Sequence, residues 1–426
     1  MTRTRLSLDA RRILGAQGLR AFAYGFGAVL LGSTLERSGF SSGEVGLVLA
    51  AVVGGTVVSS LAIGRWGDRW GRRRCYVVLY LALALTGIVF AFADQVWVLC
   101  AVALTGALST EVVESGAFTS LEQSMLATEL AGRERTRGFG VYNAVATAAG
   151  SVGALAAGGP ELLRRLWPGA PADQRFFLVF LPVALAGAAV AGTLSSRAEA
   201  EPPRSAKPPG SSLPRSRPAV SRLATLFALD SFAGGFVVQS FIAYWLAVEF
   251  QASIGVLGVV FFAVGVLQTM SFLAAPRLAE RFGLLSTMVF THLPSNALLV
   301  AIPLAPNLPA AVALLLGRSV LAQMDVPTRQ AYVMALVDPE ERTAAAAVTN
   351  TARYLVRPAG PALAGASQSI AFGLPFVLAG AIKSAYDLVL WRWFRGVPLP
   401  DETPGPVERN TTPESPVLNG VEEARA

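Results

Sequence analysis

Two uncharged apolar runs, residues 45–63 and 75–93, flank the stretch Gly64-Arg65-Trp66-Gly67-Asp68-Arg69-Trp70-Gly71-Arg72-Arg73-Arg74. Each run is close to the roughly 20 residues that an α-helix needs to cross the hydrocarbon core of a bilayer. The stretch between them carries five arginines and three glycines and reads as a short loop joining two spanning helices. Lys and Arg beside a span stay on the cytoplasmic side. The loop therefore orients the chain, and the other spans count outward from it.

Composition agrees. Of 426 residues 53% are hydrophobic and 15% charged, with mean hydropathy +0.52, which excludes a soluble globule of ordinary make-up. The net charge of +7 sits in short segments beside apolar runs, so membrane topology accounts for it and no nucleic-acid partner is expected. Cys75 and Cys100 are too few for a four-ligand metal site and should lie at opposite faces, so neither a metal nor a disulfide is expected. No set of nucleophile, base and orienting group stands out, and an enzyme is not expected. Met1 to Arg12 is basic and the run after it is span-length, unlike a cleavable signal.

Asp68 is the odd residue in the arginine stretch. It is either a solvated loop charge or, with glycines allowing close backbone approach, an anchor for a helix end or a neighbouring arginine. The pattern Gly64-x-x-x-Asp68-Arg69-x-Gly71-Arg72-Arg73 resembles the loop motif between the second and third helices of the major facilitator superfamily. That resemblance implies a cytoplasmic latch that holds the outward-facing state, with Asp68 at its centre and Gly64, Arg69, Gly71 and Arg72 supporting it.

Taken in order, residues 1–12 form a cytoplasmic N-terminal segment and residues 13–195 a half of six spans. Span 4 runs from Val96 to about Ala127, and an outer loop from Pro160 to Asp173 carries Arg164 and Arg165 against the charge rule. Residues 196–221, rich in Pro, Ser and charge, read as a disordered cytoplasmic linker. Six more spans occupy 222–395, and 396–426 is a polar, Pro-rich cytoplasmic tail.

An internal repeat sets the architecture. Arg20 to Phe26 matches Asp230 to Phe236 at a shift of 210 (230 − 20), and Arg135, Asn143 and Gly153 match Arg342, Asn350 and Gly360 at 207 (342 − 135). Asp68-Arg69-Trp70-Gly71 answers to Glu280-Arg281-Phe282-Gly283 at 212 (280 − 68). The fold class expected is an all-α integral membrane protein with twelve transmembrane helices in two parallel six-helix halves. This arrangement places a substrate near the midplane between them.

An ionisable residue at mid-span costs about 2.5 to 3.5 kcal/mol on insertion scales, so such groups turn inward, pair, or line a wet cavity. Arg20 and Glu122 lie at like depth in spans 1 and 4, and the repeat maps them onto Asp230 and Arg329 in spans 7 and 10, both signs reversed. The resemblance implies that spans 1, 4, 7 and 10 line a central cavity. Two pairs are then expected, Arg20 with Glu122 and Asp230 with Arg329, either facing one another across the substrate path or locking helices within each half. Glu111, Glu114 and Glu122 fall on one face of span 4, and Arg318, Asp325 and Arg329 on one face of span 10. Crowded carboxylates suit a proton carrier, although Glu111 and Glu114 could equally be solvated, and Asp325 could simply neutralise Arg329. Asn143 and Asn350 could bond substrate or bridge helices. His292, beside Pro294, reads as a packing histidine or a relay, Lys383 and Asp387 as a self-satisfied i,i+4 pair, and Arg353 and Arg357 as arginines reaching toward the cytoplasm.

The reading is a monomeric secondary transporter in the cell membrane with both termini cytoplasmic. It moves a small polar or amphiphilic molecule by alternating access with protons as coupling ion and without a cofactor. Proton-coupled efflux is the expected direction, proton-symport uptake or uniport the alternative, and a non-transporting sensor or scaffold the rival of another class. Gly159-Pro160 at the outer end of span 5, with Gly360-Pro361 inside span 11, departs from the usual antiporter pattern and leaves direction open.

Overall fold

The structure, a computed structural model, describes residues 7–37, 39–112, 116–129, 133–195, 216–337 and 341–397. The described residues form helices and no strand, and a helix satisfies its backbone internally where a bilayer offers no water. The first half contains α1 (Leu8–Arg37), α2 (Ser42–Trp70), α3 (Arg72–Phe92), α4 (Val96–Ala103), α5 (Gly116–Glu129), α6 (Arg133–Ala156), α7 (Gly159–Leu166) and α8 (Phe180–Gly192). The second contains α9 (Arg217–Gly235), α10 (Gln239–Phe250), α11 (Ile254–Phe282), α12 (Leu284–Ala301), α13 (Leu308–Leu321), α14 (Asp325–Leu336), α15 (Arg342–Val356), α16 (Ala359–Gln368) and α17 (Leu374–Phe394).

Among the described residues nine helical segments are long and apolar enough to cross a membrane. The other three spans complete the twelve. Spans 4 and 11 are interrupted, as α4–α5 and α15–α16, and span 5 is α6, whose first turns are charged. Span 7 is also broken between α9 and α10, and span 10 between α13 and α14. Spans 4 and 10, equivalent under the repeat, therefore both lose their helix near mid-length. Such discontinuous helices occur in transporters where freed backbone lines a cavity.

Packing reproduces the repeat. Within the halves α1 packs on α6 as α9 packs on α15, α3 on α8 as α12 on α17, α2 on α4 as α11 on α13, and α2 on α5 as α11 on α14. A Cβ on Gly25 would overlap the backbone of Gly150, and one on Gly235 would overlap that of Gly360, so glycine permits the same close crossing in both halves. Between halves, α2 meets α16, α6 meets α11, and α1 meets α10. Small residues make these seams too: Gly46 faces Gly365, Gly158 faces Gly255, and Gly32 lies on Ala243. All three lie toward the end of the bundle opposite the arginine-rich turn.

That end is also held by polar contacts. Asp173, 3% exposed, takes hydrogen bonds from both Arg37 and Arg164, and Arg165 pairs with Glu161 at 2.8 Å. The two arginines that broke the charge rule thus have carboxylate partners, in a helix rather than the expected loop. Glu161 also accepts from the Gly255 N–H at 2.8 Å across the seam. Hydrogen bonds from Ser253, from that N–H and from Arg165 hold its carboxyl below the ordinary glutamate value.

Local boundaries differ from the sequence reading in several places. α1 begins at Leu8, inside the stretch assigned to an N-terminal segment, and α9 begins at Arg217, inside the expected linker. Residues 196–215, 1–6 and 398–426 lie outside the described residues. The arginine-rich loop is mostly helix. α2 continues through Trp70, and Gly71 alone, at φ 88°, separates it from α3. That left-handed backbone angle is one that glycine adopts without the Cβ clash other residues meet.

Candidate functional site

The helix breaks leave a cavity of about 240 Å³ between the halves. The second half supplies its charged wall. Asp230 on α9 accepts from the Lys383 ammonium of α17 at 2.5 Å and stands 3.6 Å from Arg329 of α14. Arg329 donates to Asp325, one turn earlier, at 2.8 Å. Behind this row His292 of α12 approaches both carboxylate oxygens of Asp387 through Nδ1 at 3.0 Å, and Asn296 donates to Asp387 at 2.9 Å. Asp230, Asp325, Arg329, His292, Lys383 and Arg318 all line the cavity. Asp387, wholly buried, does not.

The pairing corrects the sequence reading in one respect. Lys383 and Asp387 do not satisfy each other, because successive turns of α17 present them to different neighbours, Lys383 to Asp230 and Asp387 to His292. Asp230 and Arg329 do come together as expected, with Lys383 and Asp325 as their nearer partners.

The equivalent place in the first half is dry. Arg20 and Glu122 are both 0% exposed and form a two-pronged pair, Nε to Oε1 at 2.9 Å and Nη2 to Oε2 at 2.7 Å. The hydroxyls of Tyr76 and Tyr142 add bonds to the same carboxylate at 2.8 and 2.6 Å, and the guanidinium lies over the ring of Tyr24. Neither Arg20 nor Glu122 lines the cavity. Both oxygens of Glu122 accept two bonds each, the condition under which a buried ion pair is tolerated.

Glu111 and Glu122 do not share a helix face, because residues 104–112 between α4 and α5 are not helical. Glu111 instead lines the cavity and accepts from Arg357 of the other half. Glu114 lies outside the described residues. Arg318 likewise stands on α13 while Asp325 and Arg329 stand on α14, with the break between them. Arg353 and Arg357 line the cavity rather than reach for the membrane surface. Asn143 is half-buried and Asn350 exposed, and neither lines it. Gln268 and Gln323 do line it and escaped the sequence reading, although an amide within an apolar span is a signal of the same kind as a charge.

A family model described as Major Facilitator Superfamily matches residues 13–361. The chain belongs to the major facilitator superfamily. An uncharacterized membrane protein of Saccharomyces cerevisiae is 26% identical over 425 aligned residues, covering 92% of this chain and 95% of that protein. Among solved structures, the nucleoside transporter NupG superposes with a TM-score of 0.67 at 15% identity, over 91% of this chain and 98% of the other. A bacterial homolog of the human lysosomal transporter Spinster, in an inward-facing and unoccupied conformation, gives 0.66 at 16% over 93% and 98%. A D-xylose–proton symporter gives 0.66 at 16% over 90% and 97%.

As a member of the superfamily the chain is a multi-pass membrane transporter. Its arginine-rich turn has Arg69 exposed and Arg73 donating to the carbonyl of Leu194 at 3.0 Å, which ties the start of α3 to the end of span 6. Gly64 has nothing within 4 Å of where a Cβ would stand, so no neighbouring backbone uses the space it leaves. The side chain of Asp68 lies outside the described residues. Gly71 serves by its backbone angle, and Arg72 begins α3.

Proposed function

We propose that this superfamily member is a secondary active transporter that carries a small polar solute by alternating access and couples it to protons. The observation that supports this most is the charged wall of the second half. Lys383 with Asp230 and Arg329 with Asp325 form two hydrogen-bonded ion pairs, and Asp230 and Arg329, 3.6 Å apart, join them into a row of ionisable groups along a cavity between two repeat-related halves. Static pairing needs no cavity, as the dry Arg20–Glu122 pair demonstrates. Ionisable groups within membrane spans that face a water-filled space mark substrate or proton paths.

The seams at the far end rest largely on small residues and on the Glu161–Gly255 contact, which suits halves that part and rejoin. With the arginine-rich turn on the cytoplasmic side, both termini are cytoplasmic, those seams are external, and the chain is closed outward. Gly64, Asp68, Arg69, Gly71 and Arg72 then belong to the cytoplasmic gate. Export in exchange for protons across the cell membrane is the favoured direction. The outer position of Gly159-Pro160 favours symport uptake as the second reading.

The test compares metabolite and toxin accumulation in cells lacking and overproducing the protein, at two external pH values. A solute whose content moves in opposite directions in the two strains, with a slope that follows the proton gradient, is the expected result. Asp230→Asn protein that reaches the membrane in normal amount and transports like wild type would remove the proposal's main support.

A further inference from the structure

Resting on the transport reading, the charges in the cavity narrow the class of its cargo. Five cations among the described residues line it, Arg318, Arg329, Arg353, Arg357 and Lys383, against three carboxylates, Glu111, Asp230 and Asp325. Counting Asp387 behind the wall, the arginines and lysine still exceed the carboxylates by one (5 − 4). Lys383, Arg329 and Arg357 each hold a carboxylate directly. Arg318 does not. It stands at the end of α13, lines the cavity, and has a buried Nε with no hydrogen-bond partner. Asp230 and Asp325 line the same cavity, but each is already hydrogen-bonded to Lys383 or Arg329.

We infer that the cavity binds a small organic anion and that Arg318 takes its acidic group. A guanidinium offers five N–H donors in a planar fork matched to a carboxylate or phosphate. A buried Nε–H without an acceptor is costly unless a ligand brings one. A cationic cargo would meet a wall of net positive charge whose carboxylates are all engaged. A neutral cargo can offer that donor an acceptor oxygen but brings no counter-charge to the excess cation. Volume limits the size of the cargo. About 240 Å³ equals about eight waters at their liquid volume, below the 300 Å³ or more typical of drug-sized ligands. A sugar acid or a hydroxy acid fits, with Gln268 and Gln323 as amides for its hydroxyls.

The test uses purified full-length protein and a polar-metabolite cell extract split on an anion exchanger. Thermal stabilisation is titrated with the retained and the unretained fractions, and glucuronate and glucose serve as a matched defined pair. The retained fraction is expected to stabilise the wild type and the unretained fraction not. Arg318→Gln is expected to shift the titration midpoint at least about 30-fold, as when one partner of a buried charged contact is removed, and Arg318→Lys to recover part of it. Should Arg318→Gln fail to fold, the wild-type preference between fractions decides alone. Stabilisation by the unretained fraction only, none by either, or an undiminished response in folded Arg318→Gln overturns the inference. A spectroscopic distance between labels on α7 and α11 is read in the same samples. If it moves with the unretained fraction, the transport reading survives without the anion. If it never moves, alternating access falls as well.

Discussion

The buried pair in the first half supplies the sharpest test of which charges work and which merely hold. Glu122 accepts four hydrogen bonds, two from Arg20 and one each from Tyr76 and Tyr142. Glu122→Leu leaves the Arg20 guanidinium at 0% exposure with no counter-charge, a loss of about 3–5 kcal/mol for broken buried pairs. Arg20→Met strands the carboxylate and should lose a similar amount. Independent effects would sum to about 6–10 kcal/mol. In Arg20→Met/Glu122→Leu no charge remains, and only two tyrosine hydroxyls lose partners at about 1–2 kcal/mol each. The double variant should therefore lose about 2–4 kcal/mol, and adding Tyr76→Phe and Tyr142→Phe should bring it back toward wild type. Unfolding in mixed micelles with increasing denaturing detergent, followed by tryptophan fluorescence, measures these differences. Because the pair lies off the cavity, the double variant should still transport. Additive single losses would refute the pairing argument. A folded double variant without transport would refute the claim that this pair only locks helices.

Other expectations follow from the same geometry. Asp230→Asn leaves Lys383 and Arg329 facing each other with one fewer charge between them; transport should fall at least about tenfold with modest destabilisation, and Asp230→Asn/Lys383→Met should be more stable than the single, by melting temperature. Gly25→Val forces α1 off α6 at a backbone contact, costing at least about 1–3 kcal/mol of overpacking; Gly235→Val should cost a similar amount in the second half, read as detergent-resistant yield. The Glu161 carboxyl, held below its ordinary value by Ser253 and the Gly255 N–H, contributes to closure fully above the ordinary glutamate pKa. That contribution is lost as pH falls through the depressed value, so acidifying the side that this seam faces should raise cross-linking access between α7 and α11. Glu161→Gln should open that seam already at neutral pH and flatten the response, and an unchanged pH profile in that variant would remove the assignment. Arg357→Ala frees Glu111 and should weaken this cavity-lining contact between halves, shifting the label distances toward the open form.

How far the sequence reached depends on the range of the interaction concerned. Spans can be read because a bilayer imposes one length and one polarity on each, and the doubled order of Arg20 and Asp230, Glu122 and Arg329, survives in the chain as spacing. Both expected pairs do meet. Partner choice is another matter: Lys383 and Asp387, four residues apart on α17, satisfy an i,i+4 rule on paper yet turn to Asp230 and His292. The acidic face expected on span 4 vanished because its helix stops between α4 and α5, which periodicity alone does not register.

By itself the sequence determined that the chain crosses a bilayer repeatedly, in two related halves with the arginine-rich turn as its anchor, since those follow from local hydrophobicity and charge. Only the tertiary structure decided which charges are sealed and which face the cavity. Burial, counter-charge and helix breaks are set by neighbours distant in sequence, and the same pair of positions is dry around Glu122 and open to the cavity around Asp230.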